Sequence, residues 1–247
     1  MFDIVAVPDV RAEVEERATL CGWRLSYSHD KPFACYNDTV PLISFPRRLS
    51  DLADIMPDRP AVVCNGKSIS RYELERAGNR LARDLGDRGV GHGDFVTVAL
   101  PNSIDWFVTY VAVWKLGATP QPVSAKLPPR ELAAIVELAS PKVVVGVEPG
   151  SDMAALLPEG VQCLGKGYEP SAEYSDEPLS DATSPAWKAP TSGGSTGRPK
   201  LIVSGDPAIV DTDADPALLL SHDGCLVMPG PLYHNGPAVW ACQALLC

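Results

Sequence analysis

DFVTVALPNSIDWFVTYVAVWKLGATPQPVS, residues 94–124, decides the fold. Its first seven residues are mostly apolar and rich in β-branched side chains, as in a strand covered on both faces. Ser103 can cap a helix, and IDWFVTYVAVWKLG behind it is apolar almost all round, which places that helix between two layers. Ala118 to Val123 returns to extended chain. A strand, a helix and a strand follow one another. Further on, PPRELAAIVELA (128–139) reads as a helix with prolines before and in its first turn, and KVVVGV (142–147) as another buried strand. Strands alternating with helices predict an α/β fold on a mostly parallel sheet layered with helices.

Towards the N-terminus, GVGHGD (89–94) breaks a helix whose Leu74, Ala77, Leu81 and Leu85 recur at three- and four-residue steps. Ser70-Arg71-Tyr72-Glu73 gives that helix a capping box. Before it, Asn65-Gly66 between two short extended runs predicts a hairpin. RRLSDLADIM (47–56) aligns Leu49, Leu52, Ala53 and Met56 on one helical face and is stopped by Pro57. Residues 1–45 read as an N-terminal lead, with a helix near Val10 to Leu20 and then a connector to Phe45. Residues 46–247 form the main domain. Residues 148–185, rich in Pro, Gly, Ser and acids, read as a peripheral excursion, after which PAWKA (185–189) and LIVSG (201–205) are extended.

The 247 residues carry 21 Lys and Arg against 31 Asp and Glu, a net charge of −10 with no long basic run. That balance argues against nucleic acid and anionic membranes as partners. No segment is apolar and long enough to span a bilayer, and the opening residues lack the basic flank and apolar stretch of a secretory signal. Seven cysteines, an odd number without a CxxC pair, are expected as reduced thiols in a cytoplasmic protein. The 24 prolines imply many connecting loops.

Thr191 to Lys200 reads TSGGSTGRPK. Three glycines rule out a helix or strand interior and let backbone N–H groups approach a ligand closely. Hydroxyls at Ser192, Ser195 and Thr196 and the charge of Lys200 suit phosphate oxygens. The spacing is not that of P-loop NTPases, since Gly197 is followed by Arg-Pro-Lys and Pro199 forbids the helix such a loop must open. A Ser/Gly-rich linker is the alternative, against which stand the apolar extended segments on both sides. DTDAD (211–215) lacks the Gly and closing Glu of a calcium loop and reads as a solvated turn.

TSGGSTGRPK resembles the phosphate-binding signature of the adenylate-forming (acyl-CoA synthetase, AMP-binding) superfamily. YELERAGNRLARDLGDRGVGHGD, LPNSIDWFVTYVAVWKLGATPQPVS and PGPLYHNGP resemble three further blocks in the superfamily's order, so the resemblance runs from about Phe45 to the end. It implies the N-terminal part of the large domain of an acyl-CoA ligase. Such an enzyme uses ATP, Mg2+ and coenzyme A to turn a carboxylic acid, whether fatty, aromatic or sterol-like, into an acyl-adenylate and then an acyl-CoA.

The phosphate loop then maps to Thr191, Ser192, Gly193, Gly194, Ser195, Thr196, Gly197 and Lys200, with Gly194 departing from the usual Thr. The His beside the reacting carboxylate maps to His234. Tyr233, Trp240 and Leu245 stand equally for pocket lining and core packing. No residue here matches the family's magnesium-binding carboxylate, adenine-stacking segment, ribose-gripping Asp, hinge or C-terminal lysine. The 247 residues alone are therefore expected not to be a competent enzyme. A non-catalytic nucleotide-binding or interaction module and one half of a split ligase are the other readings. PAVWACQALLC starts like a helix and stops without a polar cap or glycine. If its Trp240 to Leu246 face is bare, aggregation or a homodimer follows, whereas a self-standing module buries it.

Overall fold

A computed structural model describes residues 24–28 and 31–36 as backbone, and residues 42–192, 199–213, 220 and 224–247 in full. Contacts divide the chain into two compact units, Met1–Leu42 with Asp211–Asp213, and Ile43–Val210 with Ala214–Cys247. In the smaller unit β1 (Arg24–Ser28) and β2 (Lys31–Tyr36) pair antiparallel with Arg24 opposite Tyr36. The expected connector to Phe45 thus contains a hairpin. The helix expected over Val10 to Leu20 lies outside the described residues.

After β3 (Leu42–Ser44), α1 runs from Phe45 to Ile55. It begins before RRLSDLADIM because Ser44 is its cap: the Arg47 N–H donates to Ser44 Oγ at 3.0 Å, and Pro46 occupies the first turn. The hairpin of β4 (Pro60–Cys64) and β5 (Lys67–Ser70) turns at Asn65 (φ 51°) and Gly66 (φ 74°), the two positive dihedrals a two-residue turn of this hand needs. The capping box of α2 (Arg71–Asp87) is formed in both directions, Glu73 N–H to Ser70 Oγ at 3.2 Å and Ser70 N–H to Glu73 Oε2 at 2.8 Å.

The central sheet holds β6 (Phe95–Val98), β7 (Thr119–Pro122), β8 (Val143–Val145) and β9 (Gln162–Leu164) in the order β7-β6-β8-β9, all parallel. β9 was not expected. It lies in the 148–185 segment, where three residues are too short a run for alternation to reveal. Residues 174–178 of that segment are tied down by α2: Arg76 and Arg80 both bind the Asp176 carboxylate, and Arg83 Nη1 donates to the Ser175 and Glu177 carbonyls at 2.9 and 2.8 Å.

α3 (Ile104–Lys115) links β6 to β7, and α4 (Pro129–Ala139) links β7 to β8. Val96, Val98, Val143 and Val145 pack with α2 and α3, while Val144 packs with Leu132, Ile135 and Val136 of α4. The two helices thus cover opposite faces of the sheet. Trp106, Tyr110, Val111, Ala112, Val113 and Trp114 of α3 are fully buried, as an all-round apolar helix requires. α2 approaches α3 closely at Gly78, where a Cβ would stand 2.5 Å from Val111 Cγ1. A buried ion pair joins the same helices, Lys115 Nζ to Glu75 Oε1 at 2.7 Å, and Ser50 Oγ of α1 donates to that oxygen at 2.8 Å. Burial lowers the Lys115 pKa even beside Glu75.

Beyond the sheet come β10 (Thr191–Ser192), β11 (Lys200–Leu201), β12 (Ile209–Asp211) and α5 (Asn235–Leu246). The strand expected at LIVSG is only Leu201, paired together with Lys200, and the Ile202 and Val203 side chains beyond it are exposed. PAWKA contains a bend at 185–187. α5 buries Ala241, Cys242, Leu245 and Leu246 and leaves Trp240 36% exposed. Its C-terminal carbonyls have caps after all, from other elements: Arg71 Nη1 donates to Leu245 O at 3.0 Å and Arg48 Nε to Leu246 O at 2.9 Å.

Candidate functional site

In an open parallel sheet, ligands settle at the carboxyl ends of strands where successive connections leave for opposite sides. Here that point is β6, flanked by β7 and β8. Among the described residues, those singled out from the sequence at the loop ends and at His234 are tied to β7 and to the segment after β6.

β10 and β11 form the stem of the glycine-rich loop, with Thr191 opposite Leu201 and Ser192 opposite Lys200. Pairing brings the hydroxyl and the lysine ends of the loop side by side. Gly193, Gly194, Ser195, Thr196 and Gly197 lie outside the described residues. The stem is braced by Ile202 N–H to Pro190 O at 2.8 Å and Ser204 N–H to Lys188 O at 3.0 Å, and it hangs on the free edge of β7 through Ala189 N–H to Pro120 O at 2.9 Å. Two prolines in β7 are tolerated because that strand is an edge of the sheet.

A buried polar relay sets Thr191. Thr97 Oγ1 on β6 donates to Gln121 Oε1 on β7, and Gln121 Nε2 donates to Thr191 Oγ1 at 2.9 Å. The Gln121 oxygen is occupied, so its amide hydrogens face Thr191. The Thr191 hydroxyl, already an acceptor, keeps its own hydrogen to donate outward. Gln121 was not singled out from the sequence. Its signal is a polar residue inside a buried strand, where an unpaired amide would be costly.

His234 is held from β6 as well. Asn102, just past the end of that strand, donates from Nδ2 to Gly230 O at 2.9 Å and accepts the Leu232 N–H at 2.9 Å. The clamped turn continues through His234 N–H to Pro231 O at 3.0 Å. His234 then enters α5 in an extended conformation, and its side chain makes no capping hydrogen bond. The imidazole is exposed beside the Tyr233 ring, with centroids 4.3 Å apart. Tyr233 is half-buried at this edge, while Leu245 belongs to the core cluster.

The loop and His234 are joined by a residue that sequence reading passed over. Lys188, three positions before Thr191, donates from Nζ to Asn235 Oδ1, the residue after His234. Lys188 is 7% exposed, with Nζ 3.9 Å from the Trp187 ring centroid. Burial depresses its pKa to about 8 and pushes the nearby Cys242 thiol up to about 12. Among the described residues, Cys64, Cys163, Cys225, Cys242 and Cys247 form no disulfide.

The magnesium implied by the resemblance finds no fitting donor set here: among the described residues no three His, Cys, Asp or Glu side chains cluster so as to hold a metal ion. In the DTDAD segment the Asp213 N–H folds back onto Asp211 Oδ1 at 2.9 Å. Among the described residues no helix is long and apolar enough to cross a membrane.

Comparison with known proteins bears on this arrangement. The AMP-binding enzyme family matches residues 50–247. A dimodular nonribosomal peptide synthase of Bacillus subtilis (strain 168) is 31% identical over 189 residues, 70% of this chain and 8% of the synthase. Among solved structures, the nonribosomal peptide synthetase FmoA3 in its alpha-methyl-L-serine-AMP bound form superposes with a TM-score of 0.59 at 26% identity, over 67% of this chain and 18% of that one. The inhibitor-bound N-terminal domain of FACL13 from Mycobacterium tuberculosis shares the fold, with a TM-score of 0.62 at 18% identity, over 83% of this chain and 55% of that one. The chain thus spans a small part of the peptide synthetases it matches.

Proposed function

From the fact that the chain belongs to the AMP-binding enzyme family, we propose that residues 46–247 supply the phosphate loop and the acyl-side histidine of an ATP-dependent acid–thiol ligase. In the first half-reaction a carboxylate oxygen attacks the α-phosphorus of ATP, the bond to the bridging oxygen breaks, and pyrophosphate leaves. In the second, the thiol of coenzyme A attacks the acyl carbon, its proton is lost, and AMP departs with the electron pair of the acyl–oxygen bond.

In this reading Thr191, Ser192 and the N–H groups from Gly193 to Gly197 donate to the β and γ phosphates, with the Ser195 and Thr196 hydroxyls, and Lys200 adds a point charge. His234 stands where the carboxylate meets the nucleotide and orients it. The observation that carries the reading is the stem geometry. Ser192 is paired with Lys200, Thr191 is aimed by Gln121, and Lys188 ties the whole stem to the turn that presents His234. Residues 1–247 alone are expected to bind ATP without forming acyl-adenylate at a useful rate.

Calorimetric titration with magnesium-ATP tests this. Lys200→Ala is expected to weaken binding about tenfold or more, the scale of a lost charge-assisted contact. Unchanged affinity in the variant overturns the assignment of the loop. The peptide synthetases among the relatives support a second reading, in which the acid is an amino acid and the thiol belongs to a carrier domain. Its loop chemistry is the same, and the two readings differ at the acyl side.

A further inference from the structure

A buried ammonium normally has a carboxylate beside it, because leaving water without a counter-charge is costly. Lys188 has none among the described residues. Its Nζ meets the Asn235 side-chain oxygen and the face of the Trp187 ring. The buried titratable groups behind Lys188, the Cys242 thiol and the Tyr110 phenol, are both kept in their neutral forms by burial. The positive charge therefore stands uncancelled, and it is still largely present at neutral pH, given a value of about 8.

What Lys188 leaves available at the start of α5 is uniform in character. Asn235 is exposed, and its oxygen is taken by Lys188, so it turns two amide hydrogens outward. His234 makes no capping bond, and the first turn of α5 carries no acidic side chain to offset the positive end of the helix. This edge offers donors and positive charge. An acid lying here with its carboxylate towards the phosphate loop meets a favourable field, whereas a second cation next to that carboxylate meets repulsion that burial of Lys188 leaves less screened than at an open surface.

Resting on the adenylation reading above, we propose that Lys188 is a specificity-determining residue of the acyl side, and that it selects carboxylic acids without an α-ammonium group over α-amino acids. The assignment separates the two readings left open by the phosphate loop. It places the substrate with simple carboxylic acids, in contrast to the alpha-methyl-L-serine-AMP held by FmoA3.

Matched pairs of sulfamoyl adenosine conjugates test it by calorimetry on the purified chain: acetyl against glycyl, and phenylpropanoyl against phenylalanyl. Each pair differs only in the ammonium. The des-amino member of each is expected to bind about tenfold or more tightly than its partner, as a like-charge contact at partly buried distance implies. Lys188→Met should reduce that ratio to within about threefold, and Lys188→Arg, which keeps the charge, should preserve it. Circular dichroism checks that each variant is folded.

Equal or tighter binding of the aminoacyl members by the unmodified chain overturns the proposal while leaving adenylation intact. So does a ratio that survives in folded Lys188→Met. If Lys188→Met does not fold, the ratio of the unmodified chain and its retention in Lys188→Arg decide the matter. Failure of all four conjugates to bind overturns the expectation that residues 1–247 alone hold the nucleotide, and this proposal with it.

Discussion

Asn102 is the residue on which the position of His234 depends most directly. Its two hydrogen bonds hold the Gly230 to Leu232 turn, and Asn102→Ala removes both partners while leaving the backbone groups in place. The expected loss is about 1–3 kcal/mol of stability, read from urea unfolding. Gln121→Leu is the corresponding change at the loop. It strands the buried Thr97 hydroxyl and leaves Thr191 free to rotate, and should weaken ATP binding measured by calorimetry in the same direction as Lys200→Ala, by a smaller factor. Thr191 to Lys200 was readable in the sequence because glycines, hydroxyls and a lysine fall within ten consecutive positions. Asn102, Gln121 and Lys188 were not, because each acquires its meaning from a partner 130, 70 and 47 positions away.

Among the elements, α2 and α3 form the tightest junction. Gly78→Ala would push a methyl group against Val111, and the overpacking should cost about 1–3 kcal/mol, visible as a lower midpoint in thermal unfolding. Lys115→Met would leave Glu75 buried without its ammonium, an expected cost of about 3–5 kcal/mol. Pairing it with Glu75→Leu should recover a large part, because two apolar groups leave no charge stranded.

Helix positions were legible wherever caps and spacing agreed, as in α2 with its Ser70–Glu73 box. Strands were legible when a buried run was long enough or when a turn signal marked them, as Asn65-Gly66 does between β4 and β5. β9 has three residues and was missed, and LIVSG looked like a strand although burial stops at Leu201. The end of α5 looked uncapped because its caps, Arg48 and Arg71, come from elsewhere in the chain. Local pattern contains no trace of such partners.

For the whole molecule, the net charge of −10 hides a positive edge. pH should expose it. Lys188 titrates near 8 when folded against an ordinary 10.5, so the unfolded chain binds the extra proton between these values. Stability from this group therefore rises as pH climbs through that window, by up to about 3 kcal/mol, and is lowest below it. Cys242, pushed from 9.0 to about 12, gives the opposite slope above pH 9. Comparing the chain with Lys188→Met cancels that background. The variant should be the more stable protein at pH 7 by urea unfolding, with its advantage shrinking by pH 10. A constant difference would mean that Lys188 is not held in a desolvated setting.

The Asn102 clamp also has a consequence in time. It joins residues 130 positions apart, and closing so long a loop is slow compared with forming a hairpin or a helix. During synthesis β6, which ends at Val98, and Asn102 behind it would be complete well before the turn that Asn102 grips has left the ribosome. The site is then the last thing assembled on an already folded sheet, and in refolding experiments nucleotide affinity should return later than the sheet signal.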